Sequence, residues 1–122
     1  MKTNQVQEIK EPEFEAEVLH CTRPVLVGFL TGWSKPCRPV EPVLEEVAEA
    51  CNGTAKVFKV NVDDNPDLGT SYGIQSVPTL SYFVSGIVCA KIVGMASPKA
   101  ILAKLNLLTP GNTSTKESGQ PQ

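Results

Sequence analysis

Six apolar residues in a row, Val25-Leu26-Val27-Gly28-Phe29-Leu30, follow Pro24 and give way to a polar turn at Thr31-Gly32. A strand with one wet face alternates apolar and polar residues. This run does not alternate, so it predicts a central strand buried on both faces. Such a strand needs paired neighbours at its sides and cover above and below, which confines the chain to a sheet between helices. A length of 122 residues allows one domain of that kind with a real core.

The flanking patterns supply the rest. Residues 5–9 alternate weakly, as a short edge strand would. Phe14, Val18 and Leu19 recur at helical spacing over residues 13–20, with Glu11 and Glu13 suited to a helix N-terminus. Cys21-Thr22-Arg23-Pro24 breaks that helix. Beyond the turn, Val40, Val43, Leu44, Val47 and Ala48 form the apolar face of a helix over residues 40–50. Pro42 within it predicts a kink, and Asn52-Gly53 ends it. Residues 57–62 read as a second buried strand with Lys59 in its middle. Asn65-Pro66-Asp67 starts a short helix that Gly73 ends. Val77-Pro78-Thr79 leads into a third strand over residues 80–84. Ser85-Gly86 is a hairpin turn into a fourth over residues 87–93. Ser97-Pro98 caps a last helix whose apolar positions are Ile101, Leu102, Leu105 and Leu108. The order β-α-β-α-β-α-β-β-α predicts an α/β fold, its mixed sheet parallel then antiparallel, with helices on both faces. Residues 1–108 form this domain. Residues 109–122 carry no large apolar side chain and are expected to be a disordered tail.

Bulk properties remove several functions. Hydrophobic content of 41% and charge of 20% are ordinary for a soluble domain, and a net charge of −2 gives no footing for nucleic acid or an anionic membrane. No apolar run approaches the roughly 18–20 residues that span a bilayer. Cys21, Cys37, Cys51 and Cys89 form no zinc-type pair, and no metal or cofactor is expected. The N-terminus opens into polar sequence without an apolar leader, so reduced thiols in the cytoplasm are expected. Cys21 and Cys51 fall near helix ends on the same predicted side of the sheet, where a bridge is conceivable but not favoured.

The chemistry concentrates in Trp33-Ser34-Lys35-Pro36-Cys37-Arg38. A strand that ends where a helix begins leaves unpaired N–H groups and a dipole that favours an anion, a good setting for a thiolate. Trp33, Cys37, Pro42, Asp63-x-Asn65-Pro66, Val77-Pro78-Thr79 and Gly94, in this order and at these spacings from about residue 6 to 108, resemble the thioredoxin family. The resemblance implies the thioredoxin fold, a protein-disulfide reductase ancestry and a role in redox homeostasis. It also implies a cis Pro78 facing the turn. Trp33, Lys35, Pro36, Val77, Pro78 and Gly94 would then line a groove for protein or peptide clients. Glutathione and a thioredoxin reductase are the other partners it suggests.

Three departures alter that picture. The family's nucleophilic cysteine falls at Ser34, its usual turn glycine at Lys35, and its buried acid at Gly28, while the neighbouring lysine stays as Lys59. Disulfide reduction needs an attacking thiolate and a second thiol to resolve the mixed disulfide. Ser34 cannot make that attack, and a lone Cys37 cannot close a disulfide within the turn. Ser34 therefore reads as a helix N-cap, because a nucleophilic serine needs an adjacent base and His20 is placed on another helix. Cys37 has two readings, an inert small hydrophobe or a lone thiol aided by Lys35 and Arg38. Lys59, without its acid, snorkels or finds another carboxylate. The functions that follow are a peptide-binding module without dithiol turnover, a monothiol oxidoreductase using Cys37, and a substituted form of an ordinary disulfide reductase.

Overall fold

A computed structural model describes residues 6–31, 39–51 and 53–108. Strand β1 is Gln7–Glu8, followed by helix α1 at Glu11–Phe14 and a π-helical segment at Glu15–Leu19. Then come β2 (Val25–Leu30), α2 (Val40–Cys51), β3 (Lys56–Asn61), α3 (Pro66–Ser71), β4 (Thr79–Val84), β5 (Ile87–Val93) and α4 (Pro98–Leu108). The sheet order is β1-β3-β2-β4-β5. β3 pairs parallel with both β1 and β2, β4 runs antiparallel to β2, and β5 antiparallel to β4. This is the mixed α/β sheet expected from the element order.

The position of β2 explains its composition. It lies in the middle of the sheet, and all six of its residues are buried. Leu26 and Leu30 face a core shared with Leu44 and Val47 of α2 and Ile101 and Leu105 of α4. Val25, Val27 and Phe29 face the opposite core, made with Phe14, Val18, Phe58, Leu68 and Phe83. The last helix uses the expected cap, the Ala100 N–H donating to Ser97 Oγ at 3.1 Å. The β4–β5 hairpin turns through Ser85 and Gly86, both with positive φ (53° and 80°), the geometry of a two-residue turn. β5 is the outer strand on its side, and Ile87, Val88 and Val93 are exposed along it.

Several details differ from or sharpen the expectations. The first helix starts at Glu11, two residues early, because the Glu13 carboxylate accepts the Lys10 N–H at 2.8 Å and Asn65 Oδ1 accepts the Glu11 N–H at 3.0 Å. Its second half widens into the π form, which periodicity over so short a stretch does not reveal. Pro42 stands in the first turn of α2, which spans Val40–Cys51. Cys21 and Cys51 lie against opposite cores, not on the same side of the sheet, and both thiols are free, in keeping with the bridge not being favoured. The tail at residues 109–122 lies outside the described residues.

Asn65 is 5% exposed and joins three segments. It accepts from Glu11, and its Nδ2 donates to the Asn61 carbonyl at 2.9 Å, so it ties the start of α1 to the β3–α3 connection. Asn65→Ala leaves both partners without their bond, and a loss of about 1–3 kcal/mol is expected. Urea denaturation with an unchanged slope reads this directly, and a loss under about 0.5 kcal/mol would contradict the assigned role.

Candidate functional site

The sheet register brings several expected groups to one end. Thr79 of β4 pairs with Phe29 near the exit of β2 and, on its other side, with Val93 at the exit of β5. Pro78 and Gly94 are therefore neighbours, and the Gly94 N–H donates to the Pro78 carbonyl at 2.8 Å. Gly94 has φ +94°, a conformation that favours glycine. The Val77–Pro78 bond is cis. Thr79 Oγ1 donates to the Ser76 carbonyl at 2.7 Å and braces the segment before it. Pro78 is buried and Val77 half-buried. Among the described residues, the Val77 N–H and C=O carry no hydrogen bond.

Trp33, Ser34, Lys35, Pro36 and Cys37 lie outside the described residues. Their segment leaves the sheet at Thr31 and rejoins the described chain at Pro39, at the same end as Val77, Pro78 and Gly94. Sequence reasoning missed two exposed apolar side chains here, Val93 at 62% and Met95 at 50% exposure. Their position on either side of Gly94 was the available signal.

The described cysteines gather at the other end. Cys21 precedes the first residue of β2, while Cys51 closes α2, about 16 Å along the helix axis from Val40. Cys89 sits beside Val88, whose partner Phe83 pairs with Val25 at the start of β2. The far end of β2 is about 17 Å away. Burial pushes the Cys51 thiol above its ordinary value, so that sulfur stays protonated. Cys89 is exposed but remote from the turn.

Gly28 occupies the face under α2. A Cβ built there would stand 2.9 Å from Leu44 Cδ1 and 3.4 Å from Leu80 Cδ2. Both leucines are fully buried, so the space an acidic side chain would need is already hydrocarbon. Lys59, the register partner of Gly28, has found another carboxylate, with its Nζ 2.8 Å from Glu41 Oε1. Glu41 was not identified from sequence as that partner. The available signal was its place as the acid in the first turn of α2, over the face toward which Lys59 points. Among the described residues, no cluster of three His, Cys, Asp or Glu side chains could hold a metal ion, and no helix is long and apolar enough to cross a membrane.

Comparison with known proteins gives a consistent family. A family model described as Thioredoxin matches residues 5–107. A thioredoxin of Pyropia yezoensis is 43% identical over 98 residues, which cover 80% of this chain and 91% of that protein. Thioredoxin 1 of Nostoc sp. is 43% identical over 97 residues, covering 80% of this chain and 90% of its own. A chloroplastic M-type thioredoxin of Pisum sativum is 37% identical over 101 residues, 83% of this chain and 58% of that longer protein.

Proposed function

Because this chain belongs to the thioredoxin family of redox proteins, we propose that it keeps the family's client groove and has lost its dithiol turnover. One observation carries the reading. Of the four cysteines, the three described ones stand at the end of the sheet away from the turn, and the residue three before Cys37 is Ser34. Cys37 thus has no second thiol at hand to resolve a mixed disulfide.

The groove supports the binding half of the proposal. Val77 offers an N–H and C=O that are unpaired among the described residues to an extended peptide, as an exposed strand edge does. Gly94 leaves room beside it, because a Cβ there would meet no atom of the described residues within 4 Å. Val93 and Met95 add apolar surface, and Trp33 contributes an aromatic of the kind that concentrates binding energy. Lys35 and Pro36 complete the turn's contribution. Clients are extended peptide segments in a reducing, cytoplasmic setting, where Cys21, Cys51 and Cys89 persist as thiols.

Insulin reduction with excess dithiothreitol tests this. The wild type is expected to match the rate without protein, and Ser34→Cys to turn over. Turnover by the wild type would overturn the proposal. A silent wild type that takes one glutathione onto Cys37 from glutathione disulfide would replace it with the monothiol mechanism. Silence of Ser34→Cys would mean that the turn, and not only its missing thiol, has changed.

A further inference from the structure

The end of the sheet away from Pro78 and Gly94 carries a cavity of about 150 Å³. Its walls come from the first residues of β3, the last turn of α2, the connection between them, and Arg23 beside them. Lys56, which opens β3, pairs with Val25 at the start of β2, so the length of β2, about 17 Å, separates this cavity from the groove.

Two features of the lining point to an anion. The first is charge. Arg23 and Lys56 both line the cavity, and among the described residues around it there is no Asp or Glu, in a chain whose net charge is −2. Neither cation is fully engaged. Arg23 Nη1 donates to the Gly53 carbonyl at 2.8 Å, and the rest of its donor fork carries no hydrogen bond among the described residues. Lys56 Nζ stands 3.9 Å from Glu17 Oε1, beyond hydrogen-bond reach, and 5.7 Å from the centre of the Phe58 ring. The second feature is a pair of neutral donors. The N–H groups of Gly53 and Ala55 carry no hydrogen bond among the described residues, and Ala55 is only 7% exposed. A buried N–H is costly unless something accepts from it.

We propose that this cavity binds a small phosphate monoester. The Arg23 guanidinium and the Lys56 ammonium meet its charge, and the Gly53 and Ala55 N–H groups donate to its oxygens. A carboxylate presents two oxygens to such a set, whereas a phosphate monoester presents three and carries a charge of about −1.5 to −2 at neutral pH. Ala48 and Val57, both buried, form an apolar wall for the organic part. That part is small, because the cavity lies below the roughly 300–1,000 Å³ of sites for drug-sized molecules. The site goes beyond the proposed function, and occupation of the groove neither requires nor blocks it.

Proton–nitrogen NMR of the full chain tests this, with inorganic phosphate and phenyl phosphate as probes at constant ionic strength and about pH 7.5, where both are largely doubly charged. The Gly53 and Ala55 amide signals should shift and saturate, with a Kd for inorganic phosphate on the order of 1–10 mM. Phenyl phosphate should bind at least as tightly, since its ring meets the apolar wall, and succinate should bind more weakly. Lys56→Met and Arg23→Met should each weaken phosphate binding about tenfold, the worth of one contact to a charged group. Lys104→Met, exposed on α4, should change nothing.

Shifts that grow without saturating, or a Lys56→Met protein that binds phosphate as well as the wild type, would overturn the proposal. So would an equal loss in Lys104→Met, the mark of a general charge effect. Phenyl phosphate binding more weakly than inorganic phosphate would overturn the choice of a monoester, and succinate matching phosphate would overturn the choice of phosphate. Urea denaturation confirms that each variant is folded. Arg23 also ties down the connection at Gly53, so if Arg23→Met does not fold, Lys56→Met alone decides. Insulin turnover by the wild type would remove the proposed function and leave these titrations unchanged.

Discussion

Gly28→Asp is expected to destabilise the protein by about 3–5 kcal/mol at pH 7, and by clearly less near pH 4. Two effects add. The new Cβ stands 2.9 Å from Leu44 Cδ1, and Leu44 is fully buried, so the leucine can move only into an occupied core. The carboxylate then enters hydrocarbon, and its natural neighbour Lys59 is already engaged by Glu41. Burial disfavours the charged form, so the folded-state pKa lies above the unfolded value of about 3.9. Protons bound by the native state then exceed those bound by the unfolded chain between these two values, and stability falls as pH rises through that window. Urea midpoints at pH 4 and pH 7 check both size and sign. Leu44→Ala in the same chain should recover part of the loss by opening space, giving a sub-additive double mutant. A Gly28→Asp protein as stable as wild type at pH 7 would show that the slot under α2 accepts an acid after all.

Phe83→Ala should be comparably severe, about 3–5 kcal/mol, for a different reason. Phe83 is fully buried on the face opposite α2, with its ring edge-on to Phe14 at 5.7 Å and to Tyr72 at 5.4 Å. Phe14 ends α1, and Tyr72 follows α3, so one ring holds two short elements onto the sheet. Neither α1 with four residues nor α3 with six would be stable alone. Removing the ring leaves a cavity, and both elements should also lose hydrogen-exchange protection ahead of the rest of the chain. A loss under about 1.5 kcal/mol, or protection falling evenly everywhere, would mean that the cluster repacks around the gap.

Much of this fold was legible because each strong signal had a single physical reading. The unbroken apolar run of β2 admits only a central, covered strand, and the Ser97-Pro98 start of α4 admits little but a capped helix. What was illegible depended on pairs distant in sequence. Nothing local in Asn65 says that it bonds to Glu11, and the earlier start of α1 follows from that contact. The π-helical form of residues 15–19 has no separate signature in so short a segment. The site was half legible. Pro78 and Gly94 stood out by type and spacing, whereas the partnership of Lys59 with Glu41 required knowing which face of β3 meets which turn of α2. The placement of Cys21 and Cys51 failed for a related reason: nearness to a helix end says nothing about which core that end touches.

The open flank of β5 governs how copies of this protein meet one another at high concentration. Among the described residues β5 has a strand partner on one side only, and such an edge, with Ile87, Val88 and Val93 exposed, is a template for a second chain. Lys91 is the one charged residue in that strand, and it faces solvent. A second strand laid along this edge would have to strip water from that ammonium, so a single lysine guards the molecule against growing into a fibre. Acetylation of Lys91 would remove the guard while leaving every contact inside the domain in place.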